Sequence, residues 1–227
     1  MMQIAATVMS VLLASTASAA DPAAPLNAAA IPPMIINLTA APDMAPDLVA
    51  RILAEADRIW RPSGVTFVWR RAPARVVPYA RASETGPYVP NTLRLNIGDS
   101  RGAGSTGRLP LGWIVFDEDA APAQEIYLSR ANGQQMMRDA RSVVGLVDQM
   151  TLLQRDILLS RAMGRALAHE LGHYLLASKA HTTRGLMKAV LGAVELFSMD
   201  SGAFRLDPAQ RRVIAARLKG EPLSASR

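Results

Sequence analysis

The sequence predicts an α+β fold in which a mixed β-sheet is backed by helices. Three observations predict it. Short alternating, β-branched runs recur as far as Ser129. Between the first two of these lies a segment with apolar residues at steps of three and four. A long, largely uncharged helical pattern then follows, ahead of a short terminal helix. Strand, helix, several strands, long helix and terminal helix, in that order, describe a sheet with helices packed on it.

Met34-Ile35-Ile36-Asn37-Leu38 reads as the first strand. Pro46 opens a helix whose Val49, Ile52, Leu53, Ala56, Ile59 and Trp60 share one face, and Pro62 and Gly64 end it. Val65 to Trp69 alternates and is β-branched, giving a second strand. Ala72 to Asn91 contains prolines and reads as irregular. Leu93 to Ile97 is a third strand, and Gly102 to Gly107 a loop. Gly112 to Phe116 and Glu125 to Ser129 read as two more strands around the acidic turn Asp117-Glu118-Asp119. From Asp139 onward the pattern is helical. Thr151 with Gln154 makes a capping box, in which each side chain satisfies a free amide of the first turn, and the helix behind it runs to about Leu176. Asp207-Pro208 caps and opens the last helix. Ala209, Val213, Ile214 and Leu218 line one side of it, and Gly220 closes it.

Whole-chain properties narrow the function. The 227 residues hold no cysteine, so disulfides, thiol catalysis and cysteine zinc sites are excluded. The formal charge is +6, but the arginines are scattered. Their one concentration, Arg70, Arg71, Arg75 and Arg81, comes with no nucleic-acid-binding module, so no nucleic-acid partner is expected. At the N-terminus a short apolar run, Ile4 to Leu13, precedes small residues ending Ala17-Ser18-Ala19-Ala20. This is the pattern of a secretory signal, although only the terminal amine supplies its positive end. The expected organisation is a signal peptide over 1–20, a flexible Ala/Pro-rich lead-in over 21–33 and a single domain over 34–227. The protein is then exported, periplasmic or secreted, with no stable membrane span in the mature chain.

The chemistry is concentrated in Leu167-Ala168-His169-Glu170-Leu171-Gly172-His173-Tyr174-Leu175, which contains His-Glu-x-x-His. On a helix, residues four apart lie on nearly one face, so both imidazoles can point at one ion. Zinc suits neutral imidazole and imposes little geometry of its own. Glu170 projects beside that face, where its carboxylate can take a proton from a water held by the ion. The flanking residues, Ala166 to Ala168 and Leu171 to Leu176 apart from His173, carry no charge. The helix should therefore be buried, and two imidazoles and a carboxylate buried without a partner would be costly. The chain's 3 histidines, His169, His173 and His181, all fall in this window. A catalytic zinc takes three protein ligands and leaves one place open. His181 fills the third place if the helix stops near Ala177-Ser178 and the chain folds back. Glu195 is the competing third ligand.

These residues resemble the metzincin clan of zinc peptidases, marked by His-Glu-x-x-His-x-x-Gly-x-x-His and a methionine turn. The match is His169, Glu170, His173 and His181, then Thr182-Thr183-Arg184-Gly185-Leu186-Met187. His-Glu-Leu-Gly-His is also a common matrixin form. The resemblance implies a metzincin-like fold with a short C-terminal helical subdomain, one catalytic Zn²⁺ and a peptide or protein substrate. It also implies Glu170 as general base, His169, His173 and His181 as ligands, and Met187 in a structural turn beneath the metal. An edge strand, Gly112 to Phe116 or Ile126 to Ser129, would receive the substrate as an added strand. This chain departs from the clan in two places: Leu176 stands where the clan has glycine, and His181 comes two residues late. The cysteine with which matrixin propeptides block zinc is absent, and no tyrosine follows Met187 where some members have one. The alternative reading is a non-catalytic exported domain that keeps the fold and binds zinc.

Overall fold

The computed structural model describes residues 31–71, 92–102, 110–119 and 121–220. The expected signal peptide, most of the lead-in, the stretch Ala72–Asn91 and most of the loop Gly102–Gly107 lie outside the described residues, as do Arg75 and Arg81.

The architecture is α+β, a five-stranded mixed sheet backed by helices. Its strands are β1 (Met34–Ala40), β2 (Phe67–Arg71), β3 (Thr92–Gly98), β4 (Gly112–Phe116) and β5 (Pro122–Ser129), in the spatial order β2-β1-β3-β5-β4. β1 runs parallel to β2 and β3, and β3 parallel to β5; β4 pairs antiparallel with β5. Of the two candidate edges, Gly112–Phe116 is therefore the edge and β5 is interior.

Alternation places one apolar row on one face of the sheet. Register aligns Ile36 with Leu93 and Leu38 with Leu95, then Leu95 with Ile126 and Ile97 with Leu128. All of these are buried. Helices α1 (Pro46–Trp60) and α4 (Leu152–Leu176) cover that face and pack on each other. The face read for α1 is the buried one, from Val49 to Trp60. Trp60 is fully buried, and its Nε1–H donates to the carbonyl of Ala168 at 3.2 Å. That bond ties the end of α1 to α4 at the residue before His169.

β2 starts two residues later than the pattern predicts. Val65 is buried, but pairing with β1 begins only at Phe67, opposite Met34. A helix that the sequence reading places only beyond Asp139 begins earlier, as α2 (Arg130–Asp139), with α3 (Arg141–Val144) behind it. Its apolar signal is weak because the segment is mostly polar and buries Asn132 and Gly133 with Met137. Ser129 caps it, accepting from the amide of Asn132 at 3.1 Å. Asn132 Nδ2 in turn donates to the carbonyls of Arg101 and Pro110, holding both ends of the loop between β3 and β4.

The Thr151–Gln154 capping box forms, and α4 ends at Leu176. The C-terminal helices are α5 (Ala193–Phe197) and α6 (Pro208–Lys219). Asp207 caps α6 and Gly220 closes it at φ 69°. Only Ile214 and Leu218 of its expected apolar side are buried; Ala209 is exposed and Val213 half-buried.

Candidate metal centre

The site is built on the last two turns of α4. The helix is buried almost continuously from Leu159 to Leu175, and the uncharged residues that flank the motif are all buried but Leu176. His169 and His173 meet on one side with ring centroids 4.7 Å apart and ring planes at 82°. Each ring is oriented by a backbone carbonyl. His169 Nδ1 lies 2.8 Å from the carbonyl oxygen of Leu186, and His173 Nδ1 lies 2.7 Å from that of Ser178. A carbonyl only accepts, so Nδ1 is the protonated nitrogen in both rings and Nε2 carries the lone pair.

The two Nε2 atoms lie 3.0 Å apart. Burial lowers the pKa of His169 to about 4, against the raising effect of its bond to Leu186, with small lowering contributions from the two neighbouring histidines. Burial lowers that of His173 as well, against the bond to Ser178. Both rings are thus neutral at neutral pH, and neither Nε2 has a proton to give the other. Two facing lone pairs at this distance repel unless a cation lies between them. The donor set fits zinc: Zn–N bonds of 2.0–2.1 Å in a tetrahedral arrangement set neighbouring nitrogens about 3.3 Å apart.

His181 joins the pair. Its ring stacks beside His169 at 5.4 Å and 16°, and stands edge-on to His173 at 4.8 Å and 89°. One ligand nitrogen from each of the three histidines can be chosen so that all lie within 4.8 Å of one another. His169 is partly buried, His173 buried and His181 exposed. The trio could hold a metal ion with one side open to solvent. Glu195 lies outside this group. Its carboxylate takes Lys188 Nζ at 2.7 and 2.9 Å and the amide of Gly192 at 2.9 Å. The bond from Lys188 is the main reason its pKa is lowered.

The chain reversal that delivers His181 begins at Ala177, at φ 47° and ψ 47°, the one non-glycine residue at positive φ among the described residues. The amide of Ser178 bonds to the carbonyl of His173 and that of Ala177 to the carbonyl of Tyr174, the paired bonds of a Schellman turn. The left-handed residue therefore falls one place after Leu176, where the clan has its glycine. An alanine there is strained by about 1 kcal/mol or more relative to glycine. Ala177→Gly is accordingly expected to raise stability by up to about 1 kcal/mol with unchanged metal affinity. Thermal melting of the two proteins checks it.

Met187 lies under the site, fully buried. A Cβ on Gly172 would overlap its sulfur, so the glycine between Leu171 and His173 is what admits the methionine against the helix. The turn is closed by the amide of Thr182 on the carbonyl of Met187 at 2.8 Å. The amide of Leu186 bonds to the carbonyl of Arg205, while the carbonyl of Leu186 holds His169. The turn that carries Met187 thus also fixes His169, through the carbonyl of Leu186.

Glu170 points to the other side, toward the sheet edge. It is 9% exposed, and its Cγ would lie 3.1 Å from a Cβ on Gly112 of β4. Its carboxylate accepts a hydrogen bond from the backbone of Ile114, yet burial pushes its pKa up to about 8. A dication at the adjacent imidazoles acts the opposite way and favours the carboxylate. Phe116, at the end of β4, packs edge-on to His173 with centroids 6.2 Å apart, and Lys179 Nζ lies 5.2 Å from the centre of the Phe116 ring. Sequence reasoning missed these neighbours, and also the carbonyls of Ser178 and Leu186. None belongs to the motif, and only the clan resemblance pointed to an edge strand nearby.

No protein-family model matches this chain, and no curated protein is similar to it in sequence. Among solved structures it is similar to the crystal structure of archaemetzincin from Methanopyrus kandleri. The identity is 14%, the TM-score 0.49, and the match covers 82% of this chain and 96% of that one.

Proposed function

We propose that this protein is an exported zinc-dependent endopeptidase. The observation that carries the reading is the pair of carbonyl-oriented imidazoles with facing Nε2 atoms, joined by His181 and flanked by buried Glu170. The resemblance of His169 to Met187 to the metzincin motif points the same way.

His169, His173 and His181 would hold the ion, with Leu186 and Ser178 keeping two of the rings in the ligating tautomer. Zinc, when bound, polarises a peptide carbonyl and lowers the pKa of a water molecule toward about 7. Glu170 takes the proton of the attacking water on its carboxylate and delivers it to the departing amine nitrogen. Its seat against Gly112 and Ile114 places this base beside the sheet edge, where an extended peptide can add as a strand. Met187 supports the ligand helix from below and takes no part in proton transfer.

Export rests on the apolar run and small-residue stretch before Asp21. No helix among the described residues is long and apolar enough to cross a membrane. Cleavage of a broad peptide library by the mature protein, beside its Glu170→Gln variant, tests the activity. Stoichiometric zinc with no turnover on any peptide would instead leave a non-catalytic zinc-binding domain.

A further inference from the structure

On the side of α4 that faces α1, two turns and more before His169, lies a shallow cavity of about 240 Å³, broadly open to solvent. Its lining includes Arg51, Glu55 and Arg58 from α1, and Ser160 and Arg161 from α4. We propose that this cavity binds a phosphate group, free or carried on a small molecule or a lipid headgroup. The inference does not depend on zinc or on peptidase activity.

Charge is the first argument. Three guanidiniums and one carboxylate line the cavity. The carboxylate is already committed on both oxygens. Glu55 Oε2 accepts from Arg58 Nε and Nη2 at 3.1 and 2.6 Å, and Oε1 accepts at 2.9 Å from Nε of Arg165, a fully buried fourth arginine. Among the described residues, neither Arg51 nor Arg161 has a carboxylate within ion-pair distance. Arg161 spends one amino group, Nη1, on the carbonyl of Phe197 at 2.8 Å and keeps its other donors. Arg58 and Arg165 thus share one acid, and Arg51 and Arg161 bring two further charges that no carboxylate among the described residues pairs.

The second argument is mutual repulsion. Burial is the main cause lowering the pKa of Arg165, and the positive charges of Arg161 and Arg58 lower it further, against the favourable effect of Glu55. An anion in the cavity relieves that repulsion. The third argument is shape and donor type. The hollow is small, below the range of drug-sized ligand pockets, about 300–1,000 Å³, and its open side admits a compact anion or one carried on a larger molecule. Guanidinium forks from two helices meet tetrahedral oxyanions bidentately. Ser160, buried, donates its own proton to the carbonyl of Ile157. It therefore gives the cavity wall a polar atom without adding a competing charge.

The test is calorimetric titration of the mature protein with inorganic phosphate and with glycerol phosphate at constant ionic strength. It is paired with cosedimentation on phosphatidylcholine vesicles with and without phosphatidic acid. Saturable one-to-one binding is expected, weakened at least about tenfold in Arg51→Met and in Arg161→Met, and unchanged in Arg94→Met on β3. Arg51 is exposed, so its variant reports on binding without disturbing the core. Cosedimentation that requires phosphatidic acid and is lost in Arg51→Met assigns the source to a headgroup; soluble binding alone assigns it to a free phosphate compound. Absence of saturable binding in every arm, or binding that survives in both arginine variants, overturns the proposal. The second result would place the anion elsewhere, the histidine cluster included.

Discussion

Glu170→Gln is expected to lower peptide hydrolysis by at least two to four orders of magnitude, the usual contribution of a general base. Zinc content and melting temperature should stay close to wild type. The substitution isolates one function. Glutamine keeps the shape that packs against Gly112 and retains an amide oxygen for the hydrogen bond from Ile114. A neutral amide is also no harder to bury than a carboxyl whose ionisation burial already opposes. What it cannot do is hold a proton. Steady-state cleavage of a library-derived substrate, with zinc measured on the same samples, reads the result. Equal activity in both proteins would remove Glu170 from the mechanism.

The second large effect concerns the third ligand. His181→Ala is expected to weaken zinc affinity by more than about 100-fold, beyond the 10–100-fold typical when a residue merely supporting a ligand is lost. Glu195→Ala should leave affinity within about twofold of wild type, well short of that range. The difference follows from geometry: His181 stands with the other two rings, whereas both oxygens of Glu195 are engaged by Lys188 and one also by Gly192. Removing Glu195 forfeits an ion pair about a third exposed on each side, worth no more than about 1 kcal/mol of stability. Chelator competition on the two variants separates the candidates. A strong loss in Glu195→Ala with little change in His181→Ala would reverse the assignment.

How much of this was legible in the sequence depended on distance along the chain. The helix carrying the motif could be read with its ends, because the Thr151 box and the uncharged run are local signals. His169, Glu170 and His173 share one helix, so their spacing alone places both imidazoles on one side. The role of His181 was not decidable from spacing. It hangs on a left-handed turn at Ala177, a residue that does not announce one, where glycine would have. Gly172 gave no hint of its purpose, since the sulfur that needs the space belongs to Met187 in a later turn. The seat of Glu170 was equally hidden, because Gly112 and Ile114 reach it only after the sheet has formed. The start of α2 escaped notice because its buried face contains an asparagine and a glycine. The resemblance left two segments as the edge strand, and strand order decided between them.

The central claim is that a divalent metal sits among His169, His173 and His181. It is tested most directly by measuring zinc in the purified mature protein and in His169→Ala, then titrating both against a chromophoric chelator. One tightly held zinc per chain is expected in the first, and none retained in the second. A well-folded wild-type chain that binds no divalent metal, or a His169→Ala protein that binds it as tightly, would contradict the account.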